Sequence, residues 1–219
     1  MIILVGGEKG GTGKTTIATN IAAMMAKRGR DVLLVDTDTQ GSASLWAAAR
    51  SEIEGAPKIT CIQKHGRSVS KEIESLSSKF DDIVIDSGGR DSIELRSAMM
   101  AADIMLIPGR PSTFDIHSLA LMNSLVEQSR ALVNPDLQAF VVINGAPTHA
   151  SSSDAADMRE AVEDLSELKM MTAVLRDRVG FRRAAGRGLS IVEHEADTKS
   201  VAEVQALFDE ILSLGKETA

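Results

Sequence analysis

The sequence predicts an α/β protein whose doubly wound, mostly parallel sheet has helices on both faces. Short runs of β-branched residues alternate along the chain with longer segments of helical periodicity, which is the pattern of strands joined by crossover helices. Most of these runs are continuously apolar, as expected for strands buried on both sides. The 219 residues contain no linker-like stretch and no internal repeat, so we expect one domain over residues 1–219.

The individual elements follow from the same two patterns. Strands are predicted where a short apolar run occurs, beginning with the uninterrupted Ile-Ile-Leu-Val of the first one: 2–5, 32–35, 59–62, 83–85, 104–107, 140–143 and 171–175. Helices are predicted where apolar residues recur at helical spacing after each strand: 15–28, 42–50, 69–79, 92–102, 115–133, 153–168, 181–186 and 198–214.

Composition narrows the classes of function. The net charge is −7, from 24 Lys and Arg against 31 Asp and Glu, and the only aromatic residues are one Trp and five Phe. The average charge disfavours nucleic-acid binding, and so few rings disfavour base stacking on single strands. Cys61 is the only cysteine, which excludes an intrachain disulfide and a zinc site built from thiolates. We therefore expect the protein to reside in a reducing cytoplasm. No apolar run reaches the roughly 18 residues of a membrane span, and the N-terminus does not resemble a signal peptide.

The strongest motif is the glycine-rich segment from Gly6 to Thr16, between the first predicted strand and the first helix. That position is typical of a P-loop, in which backbone N–H groups and a helix N-terminus surround phosphate oxygens. In such a loop Lys14 would neutralise the outer phosphates and Thr15 would offer its hydroxyl to Mg²⁺. A glycine-rich turn that binds nothing is the alternative.

The loop also has two unusual residues: Glu8 stands where the usual motif begins with glycine, and Lys9 is a second lysine. The run KGGTGKTT resembles the deviant Walker A loop of the ParA/MinD family of ATPases, and the resemblance covers nearly the whole chain. It implies a P-loop NTPase fold, weak basal ATPase activity with ATP and Mg²⁺, and an ATP-dependent homodimer. It makes Lys9 the lysine that reaches the partner protomer's nucleotide, with a solvated loop lysine as the alternative. The implied nucleotide-binding residues of the loop are Lys9, Gly10, Gly11, Thr12, Gly13, Lys14, Thr15 and Thr16.

Two carboxylates, Asp36 and Asp38, follow the second predicted strand. Being two residues apart past a strand end, they point the same way, toward the loop. A carboxylate there can hold Mg²⁺ through water or orient the attacking water. The segment resembles the family's VDxDxQ switch, which assigns water positioning to Asp38, although Thr39 stands where the family usually has proline. The alternative is that both carboxylates only cap the next helix.

A third carboxylate, Asp86, ends the strand predicted at 83–85 and is followed by Ser87-Gly88-Gly89. Beside a P-loop it can accept a hydrogen bond from Thr15 or from a water on Mg²⁺. The segment resembles a Walker B strand with a DxxG switch after it. We therefore predict a metal-binding group of Thr15, Asp38 and Asp86 and a catalytic group of Lys9, Lys14 and Asp38.

Asn144 follows the strand predicted at 140–143 and resembles the asparagine that contacts the base in this family. The GTP-specific NKxD pattern is absent after it, which favours ATP. Gly145 stands where family members often have arginine, and a turn role for Asn144 is the alternative.

Positive charge is concentrated in residues 169–190, where six basic residues and one acid give +5 and leave −12 on the rest of the chain. Small ParA proteins bind duplex DNA without sequence preference through basic residues in this region, and the resemblance implies the same here. The predicted DNA-binding residues are Arg176, Arg178, Arg182, Arg183 and Arg187. The alternative is that these arginines pair with acidic neighbours such as Glu193 and Glu195, of which Glu195 lies outside the residues that the structure describes, or line the nucleotide site.

The last predicted helix argues against a membrane partner. Its apolar stripe includes Val204, Leu207 and Phe208, but residues 200–215 contain no Lys or Arg and include Glu203 and Glu210. Anionic lipid would repel such a helix, so the stripe is predicted to pack in the core.

Together these observations predict a small ParA-type partition ATPase without an N-terminal helix-turn-helix domain, cytoplasmic and associated with the nucleoid. Its ATP-bound dimer would bind duplex DNA, and a centromere-binding ParB-like partner would stimulate hydrolysis to position plasmid or chromosome DNA. One alternative replaces the DNA cargo by a chemotaxis cluster or a microcompartment, and a less favoured one is a MinD-like membrane-cycling ATPase. The metal-cluster branch of the superfamily needs paired cysteines, which Cys61 alone cannot supply.

Overall fold

The computed structural model describes residues 1–111, 113–148, 153–194 and 198–217, without the side chains of 113–116 and 216–217. Strands and helices alternate along this part of the chain. The strands are β1 (Ile2–Gly7), β2 (Val32–Asp36), β3 (Thr60–Gln63), β4 (Asp82–Gly89), β5 (Ile104–Gly109), β6 (Gln138–Ala146) and β7 (Lys169–Arg176). The helices are α1 (Lys14–Lys27), α2 (Ser42–Ser51), α3 (Val69–Leu76), α4 (Ile93–Met99), α5 (Thr113–Leu132), α6 (Asp154–Glu163), α7 (Val179–Ala185), α8 (Ile191–His194) and α9 (Thr198–Glu217).

The strands form one sheet in the order β3-β2-β4-β1-β5-β6-β7. Every strand pairing among the described residues is parallel. The chain first winds outward on one side of β1 and then on the other, which confirms the predicted doubly wound fold. The carboxyl ends of parallel strands lie at one edge of the sheet, where ligands bind in such folds.

Two apolar cores cover the two faces of the sheet. Successive side chains of β1 point alternately into the two cores. Ile3 and Val5 belong to the core formed with α1, α2, α7, α8 and α9. Leu4 faces α3, α4, α5 and α6 on the other side. Because both faces are covered, most positions of the central strands are buried, which explains why their sequences are continuously apolar.

The structure differs from the prediction mainly at the ends of elements. β1 and β4 continue to Gly7 and Gly89, which still pair with each other, although neither residue marks a strand by its side chain. Helices α3 and α6 end three and five residues before the predicted ends, at Leu76 and Glu163. The single turn α8 was not predicted, because four residues are too few to show helical periodicity.

The apolar stripe of α9 packs on β7, as predicted. Val204, Leu207, Phe208 and Ile211 are each at most 3% exposed and belong to the core on that face. No helix in the described part of the chain combines the length and apolar character needed to cross a bilayer.

Candidate nucleotide-binding site

The loop between β1 and α1 forms an open cradle at the carboxyl edge of the sheet. Among the residues that the structure describes, no atom from another part of the chain lies within 4 Å of the position that a Cβ would take on Gly10 or Gly11. Gly13 has a φ of 91°, and a Cβ on it would lie 2.1 Å from the amide nitrogen of Asn144. Glycine is therefore required at position 13, both by the backbone conformation and by the close approach of Asn144.

Lys14 lies inside this cradle and is only 6% exposed. Its ammonium group donates a hydrogen bond to the carbonyl oxygen of Lys9 at 2.8 Å. Burial lowers the pKa of Lys14, and the negative charges of Asp86, Asp38 and Glu8 oppose that shift. A phosphate group in the cradle would give the ammonium a stronger acceptor than the carbonyl.

Asp86 lies inside β4, three residues before its end at Gly89, and next to the first turn of α1. The Thr15 hydroxyl donates to Asp86 Oδ2 at 2.7 Å, while Oδ1 is buried without a hydrogen-bond partner. Burial raises the pKa of Asp86 to about 7, and repulsion from Asp36 and Asp38 adds to the shift. A buried carboxylate oxygen without a donor beside a hydroxyl fits a hydrated Mg²⁺, which takes oxygen ligands. Thr15 and Asp86 would hold that ion.

We expect Asp86→Asn to stabilise the ligand-free protein in a pH-dependent way. The pKa of about 7 in the folded protein exceeds the usual 3.8, so folding favours the protonated acid and stability falls as the pH rises from about 4 to 7. Asparagine has no charge and can still accept from Thr15. Urea unfolding across pH 4–8 should show a stability advantage that grows with pH and levels off above pH 7, on the order of 4 kcal/mol.

The matched control is Asp136→Asn, which changes an exposed carboxylate. It should leave the free energy of unfolding nearly unchanged at every pH. If the advantage of Asp86→Asn were the same at pH 4 and pH 8, a buried carboxylate with a raised pKa could not be its cause.

Asp36 is fully buried, and its contacts are those of a helix cap. Its Oδ2 accepts from the N–H and the hydroxyl of Ser44 at 2.8 and 2.9 Å, in the first turn of α2. Its Oδ1 accepts from the N–H of Asp38 at 3.1 Å. The capping alternative therefore describes Asp36, which also fixes the start of the segment that holds Asp38.

The negative charge of Asp38 acts on Lys14 in the cradle and opposes the fall in the pKa of that lysine. Asp38 Oδ1 accepts from the N–H of Gln40 at 2.9 Å, and the carboxylate carbon of Asp38 is 3.5 Å from where a Cβ on Gly88 would be. The neighbouring Thr37 donates through both N–H and hydroxyl to the carbonyl of Asp86, at 2.9 and 3.1 Å. The loop that follows β2 is thus joined to β4 at the site, with the Asp38 carboxylate beside Gly88 of that strand.

Gly89 is a site residue whose contact the sequence did not reveal. A Cβ on it would lie 2.7 Å from the backbone nitrogen of Gly10. The end of β4 therefore rests directly on the phosphate loop, so a displacement of either backbone is transmitted to the other. The sequence shows Gly89 as the last residue of the DxxG pattern. Its contact with Gly10, however, depends on the register in which β4 pairs with β1.

Asn144 reaches the loop from β6, and its side-chain amide donates to the carbonyl of Thr12 at 2.5 Å. The structure therefore brings this residue into the site, where its amide supports the loop. Contact between Asn144 and a base remains a prediction.

The predicted arginine patch divides into two groups. Arg176 and Arg178 form ion pairs with Glu203 of α9 at 3.0 and 2.7 Å, as the pairing alternative proposed but with a different acid. Glu193, the partner suggested by the sequence, instead pairs with the buried Arg50. Arg182 forms an exposed pair with Asp177, and the exposed Arg183 and Arg187 complete the second group. The charge available to an external phosphate is thus concentrated on Arg182, Arg183 and Arg187.

A phosphate cradle between a buried strand and a helix, with a lysine inside it and a Thr-Asp pair beside it, defines a P-loop nucleoside triphosphatase. Residues 3–191 match the model of the CobQ/CobB/MinD/ParA nucleotide binding domain. The chain belongs to this family, and the prediction of a ParA/MinD-type ATPase is confirmed.

Individual proteins resemble the chain over almost its whole length. Maintenance of carboxysome distribution protein A of Halothiobacillus neapolitanus is 31% identical over 212 residues, covering 96% of this chain and 95% of that protein. The chromosome-partitioning ATPase Soj of Thermus thermophilus is 23% identical over 244 residues, covering 98% and 96%. The solved structure of a McdA variant from Cyanothece in complex with ATP has a TM-score of 0.77 at 16% identity and covers 96% of this chain and 95% of that one.

Proposed function

We propose that this chain is an ATP-dependent positioning ATPase whose cargo is a protein assembly such as a microcompartment. The observation that supports this cargo is the 31% identity to a carboxysome distribution protein over 96% of the chain. A second candidate, partition of plasmid or chromosome DNA with a ParB-like partner, is favoured by the 23% identity to Soj. Both candidates use the same nucleotide site. They differ in the cargo to which the partner protein is bound, a protein assembly in the first and DNA in the second.

The nucleotide in this proposal is ATP, held by the cradle of residues 9–16. Lys14 would leave the carbonyl of Lys9 to bind the outer phosphates, and the glycine N–H groups would surround the inner ones. Thr15 and Asp86, with Asp38 through water, would hold Mg²⁺, which offsets negative charge on the phosphates when bound. Asp38 would orient the attacking water from its position beside the end of β4.

A homodimer completes the site in this proposal. Lys9 is half-buried in the loop and its backbone already contacts Lys14. Its ammonium group would stabilise phosphate charge in the partner protomer, as an arginine finger does. Dimer formation would then depend on ATP, because the phosphate charge that this lysine stabilises belongs to the nucleotide.

The DNA-binding surface in this proposal is the second arginine group, Arg182, Arg183 and Arg187. Three arginines contact too few phosphates to bind tightly at physiological salt. Two copies in a dimer double the number of contacts, which raises affinity and steepens the salt dependence. ATP would therefore control DNA binding through dimer formation.

Contacts within one protomer also join the nucleotide site to this surface. Arg50 of α2, only 3% exposed, donates to the carbonyl of Gly188 at 3.3 Å and pairs with Glu193 at 2.7 Å. Trp46 donates to the carbonyl of Leu189 at 3.2 Å. Helix α2 begins just after the loop that contains Asp38. A shift of that loop would therefore be passed through α2 to Gly188 and Leu189, which follow Arg187 in the sequence.

The double variant Arg183→Glu, Arg187→Glu is expected to weaken duplex DNA binding at least about tenfold with ATP while leaving ATP hydrolysis unchanged. Two charges change sign in each protomer, which makes four in the dimer, and phosphates then repel these side chains. Binding should be measured by fluorescence anisotropy over a salt series with ATP, with ADP and without nucleotide. The control is Lys27→Glu, Lys79→Glu, which reverses two exposed lysines elsewhere. Wild-type binding that is equally strong with ADP would contradict ATP control of DNA contact.

The cargo is tested in the organism that encodes the chain. After deletion of the gene, the proposed function predicts that a protein assembly loses its even distribution while plasmid and chromosome inheritance stay normal. Loss of plasmid or chromosome inheritance with normal protein assemblies would establish the second candidate instead.

A further inference from the structure

The two edge strands of the sheet, β7 and β3, differ in whether side chains cover their outward backbone groups. At one edge, β7 is covered by side chains, because Glu210 accepts from the N–H groups of Thr172 and Ala173 at 2.7 and 3.1 Å. Glu203 accepts from the N–H of Arg176 at 3.1 Å. Such coverage prevents another strand from pairing with the edge.

The other edge, β3, lacks this coverage in the described part of the chain. The N–H of Lys64 donates to the carbonyl of Asp36 in β2 at 2.9 Å. Successive residues of a strand direct their backbone groups to opposite sides, so Gln63 and Cys61 direct theirs away from the sheet. Among the described residues, no side chain binds these outward groups. The edge therefore offers two free donors and two free acceptors to an added strand.

A groove follows the same strand on the side of α2. It consists of two cavities of about 640 and 360 Å³ that share Ala47 and Ile59 as lining residues. The larger is lined by Leu45, Ala48 and Cys61 among others, and Leu45 is 71% exposed. The lining also includes the polar residues Thr39, Gln40, Ser44 and Gln63. A groove of this mixed character beside an edge strand can take the side chains that project from one face of an extended peptide.

A run of positive charge begins in the sequence at this edge, bounded by the acids Glu52 and Glu54 before it and Glu72 and Glu74 after it. Residues 58–71 contain four Lys and Arg and no acid, so they carry +4 in a chain of net charge −7. Lys58 lines the smaller cavity, and Lys64, Arg67 and Lys71 follow the strand, with Lys64 paired to Glu72 at 2.6 Å. Together with the +5 of residues 169–190, this leaves −16 on the remaining residues.

We propose that the β3 edge and its groove bind an extended, acidic segment of a partner protein, which adds a strand to the sheet. Alternate apolar side chains of that segment would enter the groove beside Leu45, and its acidic side chains would face Lys58, Arg67 and Lys71. A groove with apolar and polar side chains beside free backbone groups suits a polypeptide better than duplex DNA, which presents neither apolar side chains nor a matching backbone. The proposal is independent of the cargo and of the arginine surface on α7.

The surface adjoins the nucleotide site. Thr39, Gln40 and Gly41 line the larger cavity, and a Cβ on Gly41 would lie 2.7 Å from the side-chain nitrogen of Gln63. A strand bound at β3 would therefore contact the loop that positions Asp38.

The test uses the full chain and a fluorescent, capped heptapeptide in which four glutamates alternate with three valines. We expect saturable binding by anisotropy, and at least about tenfold weaker binding when lysine replaces glutamate or when alternate backbone nitrogens are methylated. Hydrogen exchange should show protection of the Cys61 and Gln63 amides on binding. Leu45→Glu should weaken binding at least about tenfold, whereas Leu132→Glu, at an 80% exposed position of α5, should not.

Several results would overturn the proposal: no saturable binding of the acidic peptide, equal binding of the lysine peptide, or unchanged binding by Leu45→Glu. Loss of duplex DNA binding in Lys58→Glu, Lys71→Glu without any peptide binding would instead make this edge a DNA surface. Because Leu45 is exposed, circular dichroism of Leu45→Glu should match the wild type. A negative outcome leaves ATP hydrolysis and the arginine surface unaffected, so it is distinguishable from failure of the proposed function.

Discussion

The substitution Lys14→Ala is expected to abolish measurable nucleotide binding, with an affinity loss of at least about 100-fold, or roughly 3 kcal/mol. Lys14 is the one cation buried inside the cradle among the described residues, and it is 6% exposed. Its ammonium group now donates to the carbonyl of Lys9 at 2.8 Å, a neutral acceptor that a charged phosphate would replace. A fluorescent ATP analogue titrated in the presence of Mg²⁺ measures the effect.

The fold should survive this change. Burial already lowers the pKa of Lys14, so keeping its charge inside the ligand-free protein is unfavourable and its removal relieves that penalty. The control is Lys27→Ala at the exposed end of α1, which should bind the analogue like the wild type. If Lys14→Ala were folded and bound ATP within a factor of about three of the wild type, the cradle would not be the nucleotide site.

The second large effect is expected for Asp38→Asn, which should retain ATP binding and ATP-dependent dimer formation but lose turnover by at least about 100-fold. The amide side chain keeps the shape and can still accept from the N–H of Gln40, which the carboxylate does at 2.9 Å. It cannot hold or orient the attacking water as a carboxylate does. Single-turnover hydrolysis and size-exclusion chromatography with ATP separate the two activities.

Asp36→Asn is the matched control for this variant. Asp36 is two residues away and fully buried, but its contacts are with Ser44 and the N–H of Asp38. We expect it to lower the free energy of unfolding by about 1–2 kcal/mol through the weakened cap of α2. Asp38→Asn should leave that free energy nearly unchanged. Full ATPase activity of Asp38→Asn would contradict the proposal that Asp38 orients the attacking water.

The arginine surface shows how far prediction from sequence extends. Charge counting located the +5 segment but treated its arginines as equivalent. The structure pairs Arg176 and Arg178 with Glu203, which lies 27 and 25 residues further along the chain. Ion pairs between distant segments depend on how α9 packs against β7, and no local pattern contains that information.

The sequence by itself determined the fold class, the position of the cradle and the chemical types around it. Continuous apolar strands, helical periodicity and the run from Lys9 to Thr16 are local patterns, and local patterns are set by neighbouring residues. Only the tertiary structure decided which carboxylate caps a helix and which faces the cradle, that Gly89 rests on Gly10, and that β3 is the uncovered edge. These depend on strand order and register, which bring together residues far apart in the chain.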